Sequence, residues 1–226
     1  MSLLLAHTGL LARQQAPVGG TPFEVIDRVD YISNATTTNN RDVTLPSGIL
    51  SGDLILMFHT SRGSDTTISA DGWVKLTEVN HSETLMSIAV FYKIADGTEG
   101  GTVNVSWAFS GRNIASTYLI RGSNYVVTGA SNEGLDPPQA SGVQGTVDCL
   151  FFSALGIEPS DNNVSGVPTN YTDLIQVANS ISSASGRFRM GTCRRFLDAS
   201  SDNPSAFSTT GTATYTASLT VMISNQ

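Results

Sequence analysis

Two lysines (Lys75 and Lys93), two cysteines and three histidines are all that a chain of 226 residues contains of these types, and its charged fraction is only 14%. Each scarcity excludes something. With a formal net charge of -7, the chain lacks the positive field that a general nucleic-acid binder needs to displace counterions. Cys149 and Cys193 stand in no CxxC pair or Cys/His cluster, so nothing in their spacing suggests zinc; a disulfide is possible by count, but two half-buried free thiols are the expectation. No apolar run is long enough to span a bilayer. The apolar start Met1–Leu11 is interrupted by His7, Thr8 and Gly9 and has no basic residue before it, so it does not read as a secretory signal. Sustained helical periodicity is also missing.

What the chain has is β-sheet patterning. Val103, Val105, Trp107 and Phe109 alternate with Thr102, Asn104, Ser106 and Ala108, giving a strand with one dry face. In the last strand Ala213, Tyr215, Ala217, Leu219, Val221 and Ile223 take one face, and Thr212, Thr214, Thr216, Ser218 and Thr220 the other. Leu85–Ile94 is apolar on both faces and reads as a covered central strand. Further strands are expected over Phe23–Ile32, Asp42–Leu45, Asp53–Thr60, Val74–Val79, Ile114–Arg121, Thr146–Leu155 and Arg187–Phe196, with turns at Asp71-Gly72, Asp96-Gly97 and Gly100-Gly101. Many short strands without helices predict an all-β fold, an antiparallel β-sandwich of jelly-roll type spanning residues 21–226. Ser, Thr and Asn are abundant, describing a weakly charged, hydroxyl-rich β surface suited to packing between subunits.

Residues 1–20 differ in character. Leu3, Leu4, Leu5, Leu10 and Leu11 precede the linker-like Gln14-Gln15-Ala16-Pro17-Val18-Gly19-Gly20. Leucines are costly to leave in water, so this segment is expected to be an extended arm that docks into a neighbouring subunit. Residues 128–145 and 157–170, rich in Gly, Pro and Asn, read as long loops that either bind something or simply cross between sheets.

Catalytic patterns are weak. There is no GxSxG, and His7, His59 and His81 fall in different elements; His59 shares its strand face with Ile55 and Met57 and reads as a core-edge residue. Asp27 with Asp30 and Asp65 with Asp71 are the nearest carboxylate pairs; spacing does not exclude a glycosidase pair, but both sets fall where solvated strand ends or turns are expected. Asp161-Asn162-Asn163 is no calcium loop. The sequence thus offers no catalytic, cofactor-binding or metal residues. Arg187, Arg189, Arg194 and Arg195 form its only basic cluster, either an interface that meets carboxylates of a neighbour or a strand face paired locally. Trp73 follows a turn and reads either as a glycan-stacking platform or as a plug at the sandwich edge.

The run Gly52-Asp53-Leu54, Gly72-Trp73 before a strand, Phe91-Tyr92-Lys93, and Asp96-Gly97-Thr98-Glu99 before a Val/Trp strand resembles β-sandwich proteins of tailed bacteriophages and prophages. The resemblance covers residues 50–125 and rests on turn and core positions. It implies a virion structural protein (tail-fibre, receptor-binding or capsid-surface component) that assembles in the host cytoplasm as a symmetric homo-oligomer, commonly a trimer, with other virion proteins and a host glycan or protein as partners. An envelope-acting hydrolase, such as a polysaccharide-degrading tail enzyme, is the alternative.

Overall fold

The computed structural model describes residues 22–34, 38–62, 67–81, 86–108, 111–145, 147–158, 162–179, 187–213 and 215–226. All of their regular structure is strand: β1 (Glu24–Ser33), β2 (Asn40–Thr44), β3 (Leu54–Arg62), β4 (Ser69–Ala70), β5 (Val74–Asn80), β6 (Met86–Ile94), β7 (Thr102–Ser106), β8 (Asn113–Arg121), β9 (Tyr125–Glu133), β10 (Ala140–Ser141), β11 (Cys149–Glu158), β12 (Val164–Gly166), β13 (Thr172–Ala178), β14 (Arg189–Leu197), β15 (Ser201–Asp202), β16 (Ser208–Thr209) and β17 (Tyr215–Asn225). The all-β, antiparallel character read from the alternation holds.

Two five-stranded sheets pack face to face, ordered β1-β8-β3-β6-β5 and β13-β14-β11-β17-β9. Leu54, Leu56, Phe58, Ile88, Val90 and Tyr118 from the first meet Leu150, Phe152, Met190, Leu219, Val221 and Ile223 from the second in one core. Phe58, Tyr118 and Phe152 form its aromatic centre, with ring centroids 4.9–5.9 Å apart. Each sheet is also covered on its outer face. The small sheet β2-β7-β4 closes a second core of Val43, Met57, Phe91, Val105 and Trp107. The ribbons β10-β15 and β12-β16 help close a third, around Phe151, Leu155, Cys193, Phe207 and Met222. The sandwich is therefore four layers deep. That depth corrects one expectation: Thr216, Ser218 and Thr220 are buried, so the hydroxyl face of the last strand packs beneath the outer layer instead of meeting solvent.

The two sheets repeat one plan. Written from the other edge, the second order is β9-β17-β11-β14-β13, which matches β1-β8-β3-β6-β5 strand for strand in chain order. Local details repeat with it. β5 and β13 each carry a register shift against their hairpin partner, between Lys75 and Thr77 and between Thr172 and Ile175. Each follows an aromatic residue, Trp73 or Tyr171, preceded by a residue of positive φ, Gly72 (77°) or Asn170 (66°). The Glu78 carboxylate accepts the Ile68 N–H at 3.2 Å, and the Gln176 side-chain oxygen accepts the Val164 N–H at 2.9 Å, tying inner sheet to outer layer at matching places. Lys93 and Arg195 occupy the same position on β6 and β14, and an acid from the segment that follows pairs with each, Glu99 or Asp202. The molecule is thus built of two β units, 24–121 and 125–225, that share one core.

Residues 22–23 and 226 lie at the same end. Phe23 stacks on Tyr125 at 5.7 Å, and the Gln226 N–H donates to the Asn124 carbonyl at 3.1 Å. The Arg121 guanidinium braces this end by binding both oxygens of Asp53, each at 2.9 Å; that hydrogen-bonded pairing holds the Asp53 carboxyl below the usual carboxylate range. The opposite end is where β1, β3, β5, β9, β11 and β13 finish and β6, β8, β14 and β17 begin. There the His81 ring meets the Tyr215 ring edge-on at 5.4 Å.

Candidate functional site: an open seam between the sheets

Repetition gives the sandwich two side seams, and they differ. Where β5 faces β9 the sheets are closed. Leu76 rests on Gly129: a Cβ at Gly129 would lie 2.6 Å from the Leu76 Cδ2. The Thr77 and Ser131 hydroxyls meet at 2.6 Å, and Ser131 Oγ lies 3.2 Å from the Glu78 carbonyl. Where β1 faces β13, a cleft of about 390 Å³ remains, lined by Val25, Arg28, Tyr118, Phe152, Ile175 and Arg194, among others.

Two residues keep it open. Gly129 pairs with Val221, and Arg28 with Tyr118, at matching ladder positions. A long cation thus stands where the closed seam has a glycine. On β13, Asp173 has φ 56°, a left-handed conformation uncommon for any residue but glycine. Beside it Leu174 packs with the outer core of the second unit, whereas its counterpart Leu76 packs with the central core. The side chain that closes one seam is turned away from the other.

Tyr118 and Phe152 form the aromatic floor. The Tyr118 hydroxyl lies 2.5 Å from Thr192 Oγ1 and bridges the sheets; burial pushes its phenol up. On one wall the Arg28 guanidinium lies 5.6 Å from the centre of the Tyr118 ring, donates to Ser116 Oγ at 3.1 Å and pairs with Asp30. Its buried Nε–H has no acceptor among the described residues. On the other wall Arg194 pairs with Asp173 at 2.8 Å. Asp27 also lines the cleft, so with Asp30 and Asp173 the walls hold three acids against two arginines over an apolar floor, an arrangement that takes an uncharged apolar chain better than a polyanion.

The residues singled out in the sequence fall in different places. Leu3, Leu4, Leu5, Leu10 and Leu11 lie outside the described residues, as do Asp65 and Asp161. The four arginines do not form one stripe. Arg194 lies at the open seam, while Arg195 lies on the opposite face of β14, 5.3 Å from the Tyr171 ring and paired with Asp202. Arg189 reaches Gln176 at 3.4 Å, and Arg187 is half-buried at the approach to β14. Trp73 is half-buried and packs with Ile49 against Ile55, Ala95 and Leu119; it lines a shallow polar hollow of about 270 Å³ with Lys93, Glu99 and Asn104. It sits at the start of β5, away from the end where β1, β3 and β5 finish. Of the two expected loops, 128–133 belongs to β9 and 164–166 to β12.

His59 is fully buried, its ring 5.5 Å from Trp107 and its Nε2 2.9 Å from the Asn113 amide nitrogen. Burial lowers its pKa to about 3, so it is neutral at physiological pH. Cys149 and Cys193 are free and buried, and burial pushes both thiols up. Cys193 pairs with Ser153 on β11, so the cysteines are separated by four strand positions, about 13 Å, too far for a disulfide. Among the described residues no group of three or more His, Cys, Asp or Glu could hold a metal ion, and no helix is long and apolar enough to cross a membrane.

Comparison with protein-family models, with curated proteins and with solved structures finds no match. The seam was not legible in the sequence. Its only sequence signals are Arg28 within an otherwise ordinary strand and Asp173 within a Thr-Asp-Leu-Ile run, and both gain meaning only by comparison with Gly129 and Lys75 in the other unit.

Proposed function

We propose that this protein is a structural component of a bacteriophage particle, a tail or capsid-surface subunit held at one end and touching the host surface with the other. The observation that carries the reading is the two-ended layout. Residues 22–23 and 226 share one end, braced by Arg121–Asp53, and the apolar segment Leu3–Leu11 joins the chain on that side in sequence. β1, β3, β5, β11 and β13 all finish at the other. A rigid four-layer body between an anchoring end and a loop-bearing end suits a subunit that builds and binds, since loops on a rigid scaffold can vary without disturbing the core. The resemblance of residues 50–125 to phage β-sandwich proteins supports the same reading. Part of its motif, Asp96-Gly97-Thr98-Glu99, is a turn in which Asp96 Oδ1 accepts the Thr98 N–H at 2.8 Å and the Glu99 carboxylate accepts the Asp96 and Gly97 N–H groups, each at 3.0 Å.

The test is to raise antibodies to the purified chain and label particles released from the host that carries it. Discrete labelling at one symmetric position is expected. Unlabelled particles, together with reducing sugar released from host envelope by the purified chain, would replace this reading with the hydrolase.

A further inference from the structure

We propose that the open seam between β1 and β13 is the receiving groove for the apolar segment Leu3–Leu11 of a second copy of this chain. The inference rests on the assembly half of the function proposed above and names the surface that assembly uses.

Four observations converge on it. In a body that repeats its own plan, one seam is filled from within by Leu76 over Gly129, while the other keeps a cleft whose bottom is the buried pair Tyr118 and Phe152 and whose walls carry the half-buried Val25 and Ile175. What fills the closed seam is a leucine, and residues 1–11 hold five. Both arginines of the groove are already paired, Arg28–Asp30 and Arg194–Asp173, with Asp27 beside them, so no cation is left for an acidic ligand, and residues 2–12 contain no Asp, Glu, Lys or Arg. The Arg28 Nε–H, buried without an acceptor among the described residues, can take a backbone carbonyl of an extended segment laid along the edge of β1.

Chain direction favours a neighbour. β1 leaves the braced end and runs along the groove wall through Val25 and Arg28, so a segment returning to its own groove must reverse within residues 12–21, whereas one docking in a neighbour's groove need not. Residues 13–21 span about 30 Å when extended, enough to reach an adjacent subunit. Because donor segment and receiving groove are different surfaces, the contact is head-to-tail, and it closes into a ring when the rotation permits. The trimer implied by the phage resemblance is one such ring.

The test uses the full chain. Leu4→Cys and Ile175→Cys are made in separate chains that also carry Cys193→Ser, because Cys193 lines the cleft, co-expressed, and exposed to oxidised glutathione; Cys149 is buried away from the cleft and does not compete. A species of twice the chain mass on a non-reducing gel, absent from either variant alone at that yield and lost when Val143→Cys replaces Ile175→Cys, is expected. Val143 is exposed and away from the groove. Val25→Cys on the opposite wall should give the same product, which protects the result against a local defect at Ile175. A cross-link confined to single chains carrying both cysteines would overturn the proposal in favour of self-docking. No cross-link at either wall in a chain that still self-associates would show that the arm goes elsewhere. If the cross-link forms but particles are unlabelled, the phage reading falls and the groove assignment stands.

Discussion

His59 shows how burial converts a titratable side chain into a packing group. Its pKa in the fold is about 3, against about 6.5 for a free imidazole. The unfolded chain therefore binds a proton near pH 6.5 that the folded chain refuses until about pH 3, and stability falls as pH is lowered across that window, by up to about 1.4 kcal/mol per pH unit. Asp53 adds to the same acid-side loss at lower pH, because its carboxyl is held below the normal range by Arg121 and the unfolded chain therefore takes up that proton first. Urea denaturation at several pH values should show native stability declining between pH 6.5 and 4, with a shallower decline in His59→Gln. An identical slope in the variant would show that another group carries the proton linkage. The thiols give a second check at this scale. Cys149 and Cys193 should be unreactive to a thiol reagent in the native protein, and both should react after unfolding without a reductant. A need for reductant would mean that they are paired.

Single strands were read well where one face is wet and poorly where local chemistry defers to a partner. Val103, Val105 and Trp107 are buried as their alternation requires, and β6 is an inner strand flanked by β3 and β5, as its two apolar faces imply. β9 looks like a loop from residue 128 in sequence because Thr128-Gly129-Ala130-Ser131 has no apolar alternation; its small residues are there because Leu76 and Thr77 press on them, a fact held in another strand. β13 has no strand signature in sequence because a turn precedes it and Asp173 breaks its period. The duplication was equally hidden, since Trp73 answers to Tyr171, Glu78 to Gln176 and Lys93 to Arg195: geometry is kept and identity is not. Glu78→Ala and Gln176→Ala should each loosen an outer layer from its sheet, at a cost of about 1–2 kcal/mol for an N–H left without its acceptor. Hydrogen exchange should show local deprotection at Ile68 in the first variant and at Val164 in the second. Protection unchanged at both sites would mean that the layers are held by apolar packing alone.

At the scale of the whole molecule, the two units share one core, so they should not unfold separately. Phe152 sits where both sheets meet; Phe152→Ala should cost about 3–5 kcal/mol and lower a single calorimetric transition, whereas two resolved transitions would make the units independent domains. The surface that this shared body leaves open is the β1/β13 seam, and the proposed function depends on subunits joining through the arm at residues 3–11. Sedimentation of the full chain beside a variant with Leu3, Leu4, Leu5, Leu10 and Leu11 all changed to Ser tests that dependence most directly. The account predicts a defined symmetric oligomer for the native chain and a folded monomer, with unchanged circular dichroism, for the variant. A native chain that sediments as a monomer at all concentrations, or a variant that assembles as the native chain does, would contradict it.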